Sequence, residues 1–331
     1  MILTENPPLP SPPFFTVPNL NNFRDAALHN GGLKTLEGKR VRPGVLFRSA
    51  EVSKLDREGL EAVKKIGVGH VFDLRSKPEV EKGWKGITNE GDSTKDVRAG
   101  WEEVMKSVGV ERVWVPVFTE KDYSPERLAE RYMKYMNESE EGFLQAYHDI
   151  LLNAGPAFRP IFQYLAALPP PSSTSFPSSI TATTTTPIGA LIHCTAGKDR
   201  TGIFFAILLS YLRVPAPLIA AEYHLTEQGL SHIRDEIVAR LMQSPGFKKY
   251  TLSQQEAGGQ QQQLEGKDFA GEALRKGRMA AERMMSAREA TMRGVLELVG
   301  REWGGAEGYL RGVVGLGDGE LEGLRGALLV E

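Results

Sequence analysis

The stretch from Ile188 to Leu212 restricts the fold of this chain more than any other. A short apolar strand at Ile188–His193 runs straight into the loop His193-Cys194-Thr195-Ala196-Gly197-Lys198-Asp199-Arg200. An apolar helix, Thr201–Leu212, leaves it. Further strand candidates lie at Val45–Phe47, His70–Leu74 and Val113–Val117. Helical spacing marks Lys54–Ile66, the run from Pro125 to about Asn153, and Phe158–Leu168. Ser53 is the expected N-cap of the first of these helices and Gly67 its stop. Strands mixed with helices, and an apolar strand feeding a loop and then a helix, predict an α/β layered domain.

A loop that closes a strand and opens a helix points free backbone N–H groups at a common centre, an anion site reinforced by the positive end of the helix dipole. Gly197 permits the tight backbone such a cradle needs. Arg200, six residues after Cys194, offers a planar fork for two phosphate oxygens and for transition-state charge. The same positive surroundings are expected to lower the Cys194 pKa and favour the thiolate. Thr201 is expected to donate its hydroxyl to that sulfur, and His193 to brace the loop. The peptide groups of Thr195, Ala196 and Gly202 complete the candidate anion site with Lys198. Against this stand bland readings: a lone Cys as a small buried hydrophobe, a lone Arg as a solvated surface residue, Lys198-Asp199-Arg200 as a charged turn. So many positions specified at once, between a strand and a helix, outweigh them.

With 331 residues and 41% hydrophobic content the chain is long enough for one large domain. Residues 1–18 form a Pro-rich lead expected to lie extended. Residues 19–331 are expected to form the domain, with flexible insertions at about 169–187, rich in Pro, Ser and Thr, and at about 253–266, rich in Gln and Gly. Phe269–Glu302 reads as one long helix whose methionines, Met279, Met284, Met285 and Met292, serve core packing. The glycines at 315, 317 and 319 fit neither the dinucleotide nor the P-loop spacing. A formal net charge of −2 leaves no global basic excess for nucleic acid. The N-terminus lacks the basic start and apolar core of a secretory signal, and the longest apolar run is about half the length of a membrane span. One cysteine excludes an internal disulfide framework and fits a reducing, cytoplasmic compartment.

The segment HCTAGKDRTG resembles the signature loop of the protein-tyrosine phosphatase superfamily. More narrowly, the chain is similar to the atypical bacterial and fungal tyrosine/serine phosphatases. The motifs that carry the likeness are Asn22-Phe23-Arg24-Asp25, Val41 to Ala50 (VRPGVLFRSA), Phe72-Asp73-Leu74-Arg75-Ser76 and Gly304 to Leu310 (GGAEGYL). The resemblance implies a protein-tyrosine-phosphatase-like layered fold, with a central mainly parallel sheet flanked by helices, and no metal or organic cofactor. It implies hydrolysis of phosphate monoesters on phosphorylated protein through a phosphocysteine at Cys194.

Such a reaction needs an acid for the leaving oxygen and a base for water. Asp73, ending a strand, and Asp199, inside the loop, are the two candidates, with Asp73 slightly favoured and Asp122 a distant third. If not catalytic, Asp199 would brace the loop against Arg75 or Arg48. Trp114-Val115-Pro116 has no Asp directly after it, so the Trp-Pro-Asp acid loop of other tyrosine phosphatases cannot be carried over. Arg48 and Arg75 read either as a basic rim around phosphate or as salt bridges between strands. Lys198 is also found in the loops of tensin-type phosphoinositide phosphatases, which keeps a phosphoinositide substrate open, although Asp199 partly offsets its charge. A catalytically silent phosphate-binding module competes with these enzymatic readings, and a sulfurtransferase ranks last.

Overall fold

A computed structural model describes residues 8–85, 97–119, 122, 125–136, 139–171, 187–244, 247–248 and 269–331. The expected insertion at about 253–266, and most of that at about 169–187, lie outside the described residues. Seven strands are present among those residues: β1 (Arg24–Asp25), β2 (Arg40–Val41), β3 (Leu46–Ser49), β4 (Val68–Asp73), β5 (Glu111–Trp114), β6 (Gly189–His193) and β7 (Leu329–Val330). Helices α1 (Arg57–Ile66), α2 (Lys77–Lys82) and α3 (Trp101–Ser107) lie between β3 and β5. Helices α4 (Pro125–Met136), α5 (Glu140–Asn153) and α6 (Gly155–Ala166) lead to β6. After it come α7 (Asp199–Tyr211), α8 (Ala216–Gly229), α9 (Arg234–Gln243), α10 (Phe269–Met285), α11 (Glu289–Trp303), α12 (Ala306–Tyr309) and α13 (Asp318–Leu328).

The central sheet has the order β1-β3-β6-β4-β5, and every pairing except β1 with β3 is parallel. Alternation along β6 divides its side chains between two faces. Ala190 and Ile192 join the large core that includes Phe158, Phe162, Phe204 and Ile207 of α6 and α7. Leu191 joins a second core with Leu60, Val63 and Met105 of α1 and α3. All five residues of β6 are buried, as expected of a strand covered on both faces. This is the mainly parallel, helix-flanked sheet that the resemblance implies.

The register places the site. Ser49 and Asp73, at the carboxyl ends of β3 and β4, both pair with His193 at the carboxyl end of β6. Ligand sites of parallel α/β sheets form at these ends. A third, smaller core brings α4, α9 and α10 together through Tyr132, Met136, Leu241, Ala281 and Met285, and these helices wall the site on its open side.

Several elements differ from expectation for identifiable reasons. The N-cap of α1 is Asp56, not Ser53; its carboxylate accepts from Gly59 N at 2.9 Å. Gly67 stops the helix as expected, at φ 122°. The lead is not simply extended: Phe14 is buried beside Arg24, and Phe15 packs on Phe23 and Phe47. The single helix expected over 269–302 is broken into α10 and α11 at Ser286–Arg288. There Ala287 N donates to Glu227 (2.6 Å), and its carbonyl meets His224 Nδ1 (2.9 Å). Of its methionines Met292 and Met285 are core, Met284 and Met285 also line the site, and Met279 is exposed.

Candidate active site

The loop from Cys194 to Lys198 is shaped by where its carbonyls go. Cys194 O accepts from His193 Nδ1 (3.0 Å), Thr195 O from Glu51 N (3.0 Å), Ala196 O from Asn22 Nδ2 (3.1 Å) and Gly197 O from Arg48 Nη2 (2.9 Å). In a trans peptide the N–H points opposite to the carbonyl. Four successive carbonyls turned outward therefore turn the N–H groups of Thr195, Ala196, Gly197 and Lys198 inward, over the start of α7. Gly197 holds the bend at φ 65°, where a Cβ would stand 2.1 Å from Ser49 O. No other residue fits there.

Two of those carbonyls are held by one buried carboxylate acting through two arginines. Glu222 of α8 takes Arg24 Nε on Oε1 (2.7 Å) and Arg48 Nη1 on Oε2 (2.5 Å). Arg48 then reaches Gly197 O, and Arg24 donates to Asn22 Oδ1, whose amide reaches Ala196 O. Burial alone would raise the Glu222 pKa, but the two guanidiniums outweigh it and hold it below the usual range. Arg48 thus lies behind the loop, bonded to Glu222 and Gly197 O, and does not line the pocket.

Arg75 and Asp73 are likewise engaged with each other and do not line the pocket. Arg75 Nε and Nη2 grip Asp73 at 2.9 and 2.8 Å, and Arg112 Nη2 adds a third contact at 2.9 Å. Both Arg75 and Asp73 are buried. Burial would raise the Asp73 pKa, yet Arg75, His193 and Arg112 hold it well below the carboxylate range. A carboxyl so held is biased towards its charged form, and it does not line the pocket. It faces His193 Nε2 at 3.6 Å, and burial pushes the His193 pKa down to about 4 against that attraction. His193 is neutral at pH 7, and its bond to a carbonyl assigns the ring proton to Nδ1. Its bond to Cys194 O lies within the loop. Asp122 caps its own turn, accepting from Thr119 N and Oγ1 at 2.8 Å each.

One pocket of about 100 Å³ gathers Cys194, Thr195, Ala196, Lys198, Asp199 and Arg200, walled by Trp84, Phe118, Tyr132 and Tyr135. Asp199 Oδ1 accepts from Tyr147 Oη at 2.7 Å and faces Lys198 Nζ at 3.4 Å. Its partners are therefore Tyr147 and Lys198, not Arg75 or Arg48. The Lys198 ammonium is buried, bonded to the carbonyls of Met284 and Ser286 and lying over the rings of Tyr135 and Phe143. Thr201 Oγ1 is buried with no hydrogen-bond partner, so the expected bond to the Cys194 sulfur is not formed. Gly202 serves by its small size: a Cβ there would come within 2.9 Å of the Tyr223 ring.

A sequence profile described as the tyrosine phosphatase family matches residues 15–330. The chain belongs to the tyrosine phosphatase family. It is 28% identical over 244 residues to the triple specificity protein phosphatase PtpB of Mycobacterium tuberculosis, covering 69% of this chain and 74% of that protein. It is 26% identical over 223 residues to a Cupriavidus necator protein provisionally named as a tyrosine-protein phosphatase, covering 67% of this chain and 66% of the other. The chain is a phosphatase, a hydrolase of phosphorylated substrates. No helix among the described residues is long and apolar enough to cross a membrane, and no group of metal-ligating side chains is present among them.

The phosphatase site contains residues that sequence reasoning passed over. Glu79 of α2 holds the Arg200 fork at both ends, Nη1 to Oε2 and Nη2 to Oε1, each at 2.7 Å. It also accepts from Ser76 N and Oγ at 2.9 Å, and Thr195 Oγ1 donates to it. The Ser76-x-x-Glu79 capping pattern is visible in the sequence as a helix start; nothing in it signals a partner 121 residues away. Glu222, Tyr147 and Tyr223 lie in helices without a motif, and only the fold brings them to the loop.

Proposed function

We propose that this phosphatase hydrolyses phosphate monoesters through a phosphocysteine at Cys194. The inward N–H groups of the loop and the Arg200 guanidinium bind the three non-bridging phosphate oxygens. The Cys194 thiolate attacks phosphorus, the S–P bond forms and the P–O bond to the leaving group breaks. Asp199 gives its proton to the leaving oxygen. In the second step Asp199 takes a proton from water, whose oxygen attacks phosphorus and releases inorganic phosphate and the thiolate. In this reading the roles differ from the sequence expectation at several residues: Asp199, not the slightly favoured Asp73, is the acid and base, Arg48 and Arg75 are engaged by carboxylates instead of rimming phosphate, and Thr201 makes no bond to the sulfur.

The observation that carries this reading is that nucleophile, Arg200 and Asp199 line one pocket whose floor is a loop with four outward carbonyls. The aromatic walls suit an aryl phosphate, which makes phosphotyrosine the preferred substrate and phosphoserine or phosphothreonine a lesser one. A phosphoinositide is the weaker reading. The Lys198 charge that would favour a polyanionic head group is engaged by Met284 and Ser286 carbonyls and by Asp199. A cytoplasmic setting belongs to the same reading, because a catalytic thiolate must stay reduced.

The test is phosphate release by the purified full chain from a phosphotyrosine peptide, a phosphoserine peptide and a set of phosphoinositides, with Cys194→Ser as control. Release that is fastest on phosphotyrosine and absent in the control is expected. Binding without release from any of them would instead mark a phosphate-binding module.

A further inference from the structure

Among the described residues Asp199 is held on one side: its two side-chain partners, Tyr147 Oη at 2.7 Å and Lys198 Nζ at 3.4 Å, both engage Oδ1. Tyr147 comes from the middle of α5, and its ring is wholly buried. A tyrosine hydroxyl has one hydrogen. Because Tyr147 spends it on a carboxylate, which can only accept, its second contact, Tyr223 Oη at 2.6 Å, must be the donor. The order is therefore fixed: Tyr223 donates to Tyr147, and Tyr147 donates to Asp199. Burial and then the Asp199 charge push the pKa values of both tyrosines up, so both keep their protons. Gly202, one turn into α7, leaves the space in which the Tyr223 ring lies, since a Cβ there would sit 2.9 Å from Tyr223 Cδ2 and 3.0 Å from Cε2.

We propose that Tyr147 and Tyr223 form a positioning relay that fixes the Asp199 carboxyl by Oδ1 and leaves Oδ2 to carry the proton delivered to the leaving group. This rests on the reading of Asp199 as the general acid. The tyrosines touch no reacting atom; they act through Asp199. Two donors on one oxygen keep the proton off that oxygen. The carboxyl is pinned in orientation at the same time, so its free oxygen is presented to the pocket where Asp199 is a quarter exposed. The other titratable and charged groups that face this cluster are Tyr135 beside Tyr147, Arg200 and Arg131 near Tyr135, and Arg48 and Glu227 near Tyr223. None of them is bonded to Asp199 Oδ2 among the described residues.

The experiment compares kcat/KM on phenyl phosphate, whose leaving group needs a proton, with para-nitrophenyl phosphate, whose leaving group does not. It uses the full-length wild type and the variants Tyr147→Phe, Tyr223→Phe, Asp199→Asn and Asp199→Asn with Tyr147→Phe. Tyr147→Phe is expected to lose roughly tenfold on phenyl phosphate and far less on the nitro compound. Tyr223→Phe should follow the same pattern at about threefold. In the Asp199→Asn background Tyr147→Phe should add nothing. Equal losses on both substrates, or a full additional loss in the double variant, would reduce Tyr147 to packing and overturn the relay. If Asp199→Asn itself fell equally on both substrates, the acid assignment would fail and the relay with it. A leaving-group effect in Asp199→Asn without one in Tyr147→Phe overturns the relay alone.

Discussion

Arg200 and Glu79 show how a single buried carboxylate can set the geometry of a guanidinium that lines the pocket. The fork is clamped at both ends at 2.7 Å, and Glu79 is itself fixed by Ser76 and Thr195. A guanidinium has five donors, more than the two this clamp takes. Glu79→Gln replaces one acceptor oxygen by a donor facing Arg200, so the fork loses its match. A fall in kcat of roughly 10–100-fold with a smaller change in KM is expected, measured on a phosphotyrosine peptide; an unchanged kcat would remove Glu79 from the positioning machinery. Gly197→Ala places a Cβ against Ser49 O at a left-handed φ, and should cost on the order of 2–4 kcal/mol of stability together with most activity. Urea denaturation beside a phosphatase assay checks both effects. His193 offers a pH test. Its folded pKa of about 4 lies below the ordinary 6.5, so between these values the unfolded chain binds more protons than the folded one. This contribution to stability is present above pH 6.5 and is lost as pH falls towards 4, at up to about 1.4 kcal/mol per pH unit. Asp25, buried and raised to about 7, slopes the other way, so the difference between wild type and His193→Asn isolates the term. Asparagine keeps a donor for Cys194 O, and that difference should shrink as pH falls from 7 to 4.5. A difference independent of pH would contradict the assignment.

At the scale of elements, the strand–loop–helix unit was legible because chemistry and hydrophobic pattern coincide there: β6 and α7 lie within two residues of their expected bounds. Apolar periodicity marked β3, β4, β5 and most helices for the same reason, but not the two-residue strands β1, β2 and β7. What periodicity could not mark is a break made by tertiary partners. The Phe269–Glu302 run reads as continuous helix, but Glu227, His224 and Lys198 capture its backbone near Ser286. Likewise the Asn22, Arg24, Arg48 and Arg75 motifs were visible, while their roles were not. An arginine beside a phosphate loop looks the same in sequence whether it faces the ligand or a carboxylate such as Glu222 on a helix 174 residues away. The brace behind the loop is tested by Glu222→Gln, which leaves Arg24 and Arg48 buried without a counter-charge. A destabilisation of about 3–5 kcal/mol is expected, read from chemical denaturation; a loss below about 1 kcal/mol would mean that the arginines find new partners.

The whole molecule places one small polar site at the ends of three parallel strands and spends much of its buried charge behind it. Glu222, Arg24 and Arg48 lie on one side of the loop, Asp73, Arg75 and Arg112 at the adjoining strand end, and Glu79 beside Arg200. Helices α4, α9 and α10 then supply apolar and aromatic walls. Buried pairs fix the backbone, and Cys194, Asp199 and Arg200 line the pocket in front of it. In the proposed reaction Cys194 carries the phosphoryl group and Asp199, not Asp73, handles the protons. Rapid mixing of Asp199→Asn with para-nitrophenyl phosphate tests this most directly, because the leaving group needs no acid while the water in the second step still needs a base. A burst of nitrophenol equal to the enzyme concentration is expected, followed by slow turnover, with phosphate retained on Cys194 after rapid denaturation. No burst and no phosphocysteine in Asp199→Asn, or a burst of this kind in Asp73→Asn instead, would contradict it.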